Sequence, residues 1–274
     1  MAACQAKPAA GQTIEAAFGN GPVVEALGAA KTFADGTRAL APIDLALREG
    51  EFVSLIGPSG CGKSTLLRMI AELVVPSEGN IRWRDPQPGR RRAFVFQDPT
   101  LMPWARVGTN VRLPLDLSRV PRPEAEERVA RALDLVGLSG FERHYPRQLS
   151  GGMQMRVSIA RALVKEPRLL LMDEPFGALD EITRNRMDEE LLGLRERQRF
   201  TALFVTHSIY EAVFLSTRVL VMTVRPGQIF GQLLLDEPYP RTQSYRLGTR
   251  FAANCSRLSE LLAQASRSGH GDGA

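Results

Sequence analysis

Residues Gly57-Pro58-Ser59-Gly60-Cys61-Gly62-Lys63-Ser64-Thr65 carry the most specific chemistry in this sequence. Their pattern, G-x-x-x-x-G-K-[ST], is that of a phosphate-binding loop (P-loop) when a strand precedes it and a helix follows. Glu51 to Ile56 reads as a buried strand and Leu66 to Ala71 as the body of a helix, so that context is met. The glycines let backbone N–H groups converge on a phosphate chain with no Cβ in the way. The positive end of the helix favours the same anion. Lys63 supplies a point charge for the β- and γ-phosphates, and Ser64 offers a hydroxyl to Mg²⁺. The chain is expected to bind a nucleoside triphosphate. Cys61 has two readings: a small residue at a permissive position, or a thiol activated by the helix N-terminus whose alkylation blocks nucleotide binding.

Further along, Leu169-Leu170-Leu171-Met172-Asp173-Glu174-Pro175 begins with an apolar run that does not alternate. Such a run suits a strand buried on both faces of a parallel sheet. Asp173 at its end can hold Mg²⁺ through water, opposite the P-loop. Glu174 beside it can accept a proton from the attacking water, or orient it. His207 offers an imidazole near the γ-phosphate, and Gln97 a carboxamide that reaches both metal and water. Either of these two alone would read as a turn residue at a strand end. Ser150-Gly151-Gly152 is a second glycine-rich helix start suited to an anion. One molecule does not need two such sites for one triphosphate.

The elements that must position these groups follow from periodicity and punctuation. Residues 1–22 are rich in Ala and Gly without periodicity, and a loose tail is expected there. Short strands are expected at Val23–Leu27 and Ala39–Leu47, with an Asp35-Gly36 turn between them. Asn80–Trp83 and Ala93–Phe96 follow the P-loop helix. Val129, Leu133 and Val136 recur at helical spacing after Pro123, and Gly137 can close that helix. Ser150 is a good N-cap for a second helix, running through Met153, Val157, Ala160 and Leu163 until Pro167. Residues 99–165 thus read as a helical insert in an alternating strand–helix chain. Leu179 to Arg197 reads as a helix, Ala202–Val205 and Arg218–Met222 as core strands. Leu247, Phe251, Leu258 and Leu262 keep helical spacing, and residues 266–274 form a polar tail. The sequence is α/β, with one domain expected over residues 23–265.

Composition narrows the function classes. Hydrophobic residues are 44% and charged residues 24%, enough for a full core. No stretch approaches the ~18 apolar residues that span a bilayer. Met1 to Pro8 lacks an apolar h-region, so a cytoplasmic location is expected. The net charge of +5 is mostly dispersed among acidic residues. The denser clusters, Arg90-Arg91-Arg92 and Arg195 to Arg199, lack interleaved aromatics and read as solvated faces, not a nucleic-acid surface. Cys4, Cys61 and Cys255 are too scattered for a disulfide framework or a zinc site.

Read in order, these segments resemble the ATPase subunit of ABC transporters, from about Val23 to Leu262. Leu149-Ser150-Gly151-Gly152-Met153 is similar to that family's signature sequence and Gln97 to its Q-loop glutamine. Leu169–Asp173 resembles the Walker B strand, followed by Glu174 as the catalytic acid. Gly177-Ala178-Leu179-Asp180 resembles the D-loop, and His207 the switch histidine. The resemblance implies a P-loop NTPase core with a mainly parallel sheet, an antiparallel β-subdomain and the inserted helical subdomain. It implies ATP and Mg²⁺ as cofactors, with Lys63, Gln97, Glu174 and His207 in catalysis and Ser64, Gln97 and Asp173 at the metal. It also implies a homodimer in the ATP-bound state, in which Ser150, Gly151, Gly152 and Asp180 act on the nucleotide held by the partner's P-loop. Phe33 falls where the family stacks an aromatic ring on adenine, with a core position as the other reading of a Phe. The segment from Asn80 to Arg92 is shorter and more Arg/Pro-rich than the family's pattern, which leaves its strand pairing open.

Leu101-Met102-Pro103-Trp104 stands where the family receives a coupling helix from a membrane permease, and packing between subdomains would also explain its apolar character. That sequence, with Glu237-Pro238-Tyr239-Pro240-Arg241, resembles the importer branch for nitrate, sulfonates, taurine and related solutes. The resemblance then implies a peripheral protein on the cytoplasmic face of the inner membrane, a permease, and a separate solute-binding protein. The sequence after Leu262 is also too short for the extra β-domain of the sugar-importer ATPases. A soluble ABC-type ATPase acting on nucleic acid or ribosomes, and a non-hydrolysing nucleotide switch, are the alternatives. The first usually carries coiled coils or two fused cassettes, and the second would not need both Glu174 and His207.

Overall fold

A computed structural model describes residues 21–84 and 92–268. Most of the expected N-terminal tail, Cys4, Arg90 and Arg91, and residues 269–274 of the polar tail lie outside the described residues. In chain order the strands and helices begin with β1 (Pro22–Thr32), β2 (Arg38–Arg48), β3 (Phe52–Ile56), α1 (Lys63–Ile70), β4 (Glu78–Trp83) and β5 (Arg92–Val95). Helices α2 (Val107–Leu117), α3 (Arg122–Leu135) and α4 (Gly151–Leu163) follow as the insert, then β6 (Leu169–Asp173) and α5 (Glu181–Gln198). The remainder is β7 (Thr201–Val205), α6 (Ile209–Leu215), β8 (Arg218–Met222), β9 (Ile229–Leu234), α7 (Gln243–Arg246) and α8 (Thr249–Ser268).

Two sheets result. The larger has the order β5-β6-β7-β3-β8-β9, with parallel pairing except for the antiparallel edge strand β9. The smaller is antiparallel, β2-β1-β4. This settles the pairing around Asn80–Arg92: β4 joins β1, with Ala26 opposite Ile81, whereas β5 crosses to the large sheet beside β6.

The apolar strand runs are explained by burial on both faces. Along β6, Leu170 and Met172 face the helical insert side, and Leu169 and Leu171 face α1 and the antiparallel sheet. Strand β7 divides likewise, with Ala202 and Phe204 on the first face and Leu203 and Val205 on the second. A strand with no polar face belongs in the middle of a layered α/β sheet. The chain turns at the carboxyl ends of β3, β6 and β7 therefore gather on one edge, where such sheets place their ligands.

Several elements differ from expectation. Helix α2 was hidden by Pro114 in its interior and Gly108 in its first turn. Helix α6 and strand β9 were also unforeseen, α6 because it is only seven residues long. Helix α5 starts after Asp180, so Leu179 precedes it. Leu247 is not part of α8 and is 83% exposed, because the chain turns at Gly248 between α7 and α8. Conversely α8 reaches Ser268, so residues 266–268 belong to a helix and not to the polar tail.

Candidate nucleotide site

Each candidate side chain is set by a local rule. Gly62 has φ 101°, and a Cβ there would meet Leu40 Cδ2 at 2.5 Å and the Ala39 carbonyl at 2.9 Å. Only glycine turns the chain so tightly against β2. The turn exposes the N-terminus of α1, where Lys63 folds back over the loop. Its Nζ donates to the Gly57 and Pro58 carbonyls, each at 2.9 Å. Phe33, Ser59, Gly60, Gly62, Lys63, Ser64, Thr65 and Glu174 together line a cleft of about 290 Å³. Phe33 is 42% exposed, so the core reading fails and its ring is available for stacking.

The acidic side of the cleft comes from β6. Ser64 Oγ donates to Asp173 Oδ1 at 2.7 Å, and Arg68 approaches the other carboxylate oxygen at 3.8 Å. Burial raises the Asp173 carboxyl above the ordinary range, opposed by the Ser64 hydrogen bond and by Arg68. A hydroxyl and a desolvated carboxyl side by side form a hard-oxygen donor set, the chemistry that suits Mg²⁺. Glu174, at φ 47°, leaves the strand direction in a left-handed turn. Its backbone N–H donates to the Val205 carbonyl at 3.0 Å, and its Oε2 lies 3.1 Å from His207 Nδ1. The end of β6 and the end of β7 thus bring a carboxylate and an imidazole into contact beside the P-loop.

Other candidates stand apart. Gln97 is exposed, two residues beyond β5, whose Val95 pairs with Met172. Ser150 caps α4 by accepting from the Met153 N–H at 3.3 Å, and it is exposed along with Gly151. Asp180 caps α5, its Oδ1 accepting from the Thr183 N–H at 3.0 Å, and that bond holds its carboxyl below the ordinary range. Among the described residues, the cleft lining includes neither Asp180 nor the Ser150–Gly152 segment. Cys61 is buried, 1% exposed, which favours the packing reading over a thiol open to alkylation.

Some residues that build the site were not foreseen. Arg225 lines the cleft and donates through Nε to the Gly60 carbonyl at 3.1 Å. Gly227 passes so close to the P-loop that a Cβ would stand 1.9 Å from the Cys61 carbonyl oxygen. Asn110, fully buried, accepts from the Met102 N–H at 2.7 Å and donates to the Met102 and Ala105 carbonyls. It therefore shapes the Leu101–Trp104 segment, in which Leu101 packs on the core and Trp104 stays 76% exposed. The Arg-Pro-Gly run at Arg225-Pro226-Gly227 was the one available signal, and it reads only as a turn.

Residues 40–177, from β2 through the P-loop, Q-loop and signature segment to the D-loop, match the family model described as ABC transporter. The chain belongs to the ABC transporter family. An uncharacterized ABC transporter ATP-binding protein of Methanocaldococcus jannaschii is 49% identical over 210 residues, 76% of this chain and 79% of that one. The aliphatic sulfonates import ATP-binding protein of Bacillus cereus is 43% identical over 223 residues, 79% of this chain and 88% of the relative. Among solved structures, a dimeric ATP-binding cassette in a post-hydrolysis state with ADP and Pi superposes with a TM-score of 0.69. It is 34% identical and covers 78% of this chain and 100% of its own. As an ABC ATP-binding subunit the chain takes ATP and Mg²⁺ and hydrolyses ATP in step with transport. No helix among the described residues is long and apolar enough to cross a membrane.

Proposed function

We propose that this ABC subunit powers import of a small solute of the sulfonate, taurine or nitrate class through a separate membrane permease. The observation that carries the cycle is the split between the P-loop cleft and the exposed α4 N-terminus. Gly151 has open space where a Cβ would stand, so a phosphate can approach the Ser150–Gly152 amides from outside the molecule. In a head-to-tail pair each α4 N-terminus, with Asp180, faces the nucleotide of the other subunit. ATP then closes the pair and hydrolysis opens it, because each state differs in the charge it holds between the two subunits.

Within one cleft, Phe33 stacks on adenine and the P-loop amides with Lys63 hold the β- and γ-phosphates. Ser64 and Asp173 hold the metal, with Gln97 approaching from the β5 edge. When bound, Mg²⁺ neutralises charge on the phosphate oxygens. Glu174 orients the attacking water and takes its proton. His207, in contact with Glu174, steadies that carboxylate and faces the γ-phosphate. The paired Glu174 and His207 favour this reading over a non-hydrolysing switch. The exposed Trp104, on a loop fixed by Asn110, is the anchor offered to the permease together with Leu101 and Met102. That docking places the subunit on the cytoplasmic membrane face, in a system with its own solute-binding protein.

Affinity capture of Glu174→Gln protein from source membranes with ATP and Mg²⁺ tests the reading. Recovery of a multi-span membrane protein is the expected result, together with stimulation by an alkanesulfonate, taurine or nitrate of the ATPase of the same complex reassembled with the wild-type chain. Ribosomal or nucleic-acid partners without a membrane subunit would overturn it.

A further inference from the structure

Behind the hydrolysis site four ionisable side chains pack together. Helix α5 supplies Arg184 and Asp188, α6 supplies Glu211, and α7 supplies Arg246. Asp188 is fully buried and Glu211 is 4% exposed. Arg184 Nη2 donates to the Leu179 carbonyl at 2.7 Å and its Nε to the Phe176 carbonyl at 3.3 Å, so one bond ends in the D-loop and the other on the residue just before it. The same Nε stands 3.8 Å from Glu211 Oε1. The other Glu211 oxygen accepts from the Thr206 hydroxyl, and Thr206 Oγ1 in turn accepts from the Ser208 N–H at 2.9 Å. Thr206 and Ser208 flank His207. A path of hydrogen bonds, bridged at one point by the 3.8 Å ion pair between Arg184 and Glu211, therefore runs from the Phe176 and Leu179 carbonyls to the backbone beside the switch histidine. Arg246 pairs with Asp188 at 2.7 Å, one turn along α5, and holds α7 against the cluster.

Cohesion between helices does not require these groups, since apolar side chains of similar volume pack at least as well. Directional bonds do something apolar packing cannot: they fix particular carbonyls and a particular hydroxyl in one arrangement. We propose that Arg184 and Glu211 are positioning residues that hold the D-loop and His207 in a fixed relation, so that displacement of either is transmitted to the other. The inference rests on the hydrolytic role given to His207 above. Neither residue touches nucleotide; Glu211 acts through Thr206 and His207, Arg184 through the D-loop.

The test is steady-state ATPase kinetics of the full chain, with thermal melting to confirm folding. Glu211→Ala and Thr206→Val are each expected to lower kcat roughly tenfold and leave KM for ATP within about twofold. Thr206→Val keeps the buried shape, so it reports even if Glu211→Ala does not fold. Glu211→Gln, which retains an acceptor for Thr206, should recover most of the loss. In a His207→Ala background, Thr206→Val or Glu211→Ala should cost nothing more, and Arg184→Met should not add to Glu211→Ala. A merely structural role would lower both backgrounds equally. Additive losses, or unchanged kcat in Thr206→Val and Glu211→Ala, would overturn the tie while leaving the histidine its role. Unchanged turnover in His207→Ala is a separate result, which would remove the role of the histidine and the tie with it.

Discussion

Glu174 occupies a backbone conformation that few side chains adopt, and at φ 47° its carboxylate leaves the line of β6 to meet His207. Holding a non-glycine residue there costs on the order of 1–3 kcal/mol, a cost seen most often where geometry serves chemistry. Replacing only the carboxylate should therefore separate binding from turnover. Glu174→Gln is expected to bind ATP as the wild type does and to hydrolyse it roughly 10²–10⁴ times more slowly, the scale of a lost general base. Equal turnover in a single-turnover assay would take the proton-accepting role away from Glu174. At the other end of the cleft, Phe33→Ala should weaken ATP by roughly 1–3 kcal/mol, the worth of one stacked base, whereas Phe33→Tyr should bind within about 0.5 kcal/mol of wild type. A titration showing no loss in Phe33→Ala would send Phe33 back to a packing role. The residues of the motif were legible because their types and order carry the chemistry themselves. Arg225 and Asn110 were not, because both act through carbonyls and amides that any sequence would supply.

At the scale of elements, β3, β6 and β7 could be read directly from apolar runs, since a strand covered on both faces has no room for polar residues. The cap Ser150 was equally visible in its residue type, whereas Asp180 caps α5 at a position that the helical reading from Leu179 puts inside the helix. Helix α2 escaped because its proline outweighs its apolar spacing locally, while Val107, Val111 and Leu115 still bury against the core. The close approach of the loop before β9 to the P-loop is a tertiary fact with no local pattern. It predicts that Gly227→Ala, whose Cβ would collide with the Cys61 carbonyl, destabilises the fold by roughly 1–3 kcal/mol and weakens ATP binding. Melting and ATP titration unchanged from wild type would show that the loop yields. Helix α5 carries a second, pH-dependent expectation. Burial, aided by the charge of Glu211, pushes the Asp188 carboxyl from 3.8 up to about 8, and Arg246 does not offset it. The folded state then binds this proton more tightly than the unfolded chain, so stability falls as pH rises from 3.8 to about 8. Asp188→Asn should flatten that fall in urea midpoints across the window, and an equally steep fall in the variant would mean that other groups produce it.

The whole molecule presents an incomplete site. The P-loop cleft has its own lysine, hydroxyl, carboxylates and aromatic ring, yet the α4 N-terminus and Asp180 face outward and line no part of it. In the proposed cycle a second copy supplies what each lacks, and the dimeric ATP-binding cassette to which the fold is similar shows that such cassettes do pair. The importer proposal draws on the 43% identical sulfonate-import relative and on the exposed Trp104, whereas the closing motion draws on this geometry and on the similar dimeric cassette. Light scattering of the Glu174→Gln protein with ATP and Mg²⁺ tests the closing motion most directly. Each chain is 30.2 kDa, and ATP is expected to move the population to twice that mass, with Gly151→Glu abolishing the shift by like-charge repulsion at the phosphate. Nucleotide bound at saturation with the mass distribution unmoved would contradict the paired site.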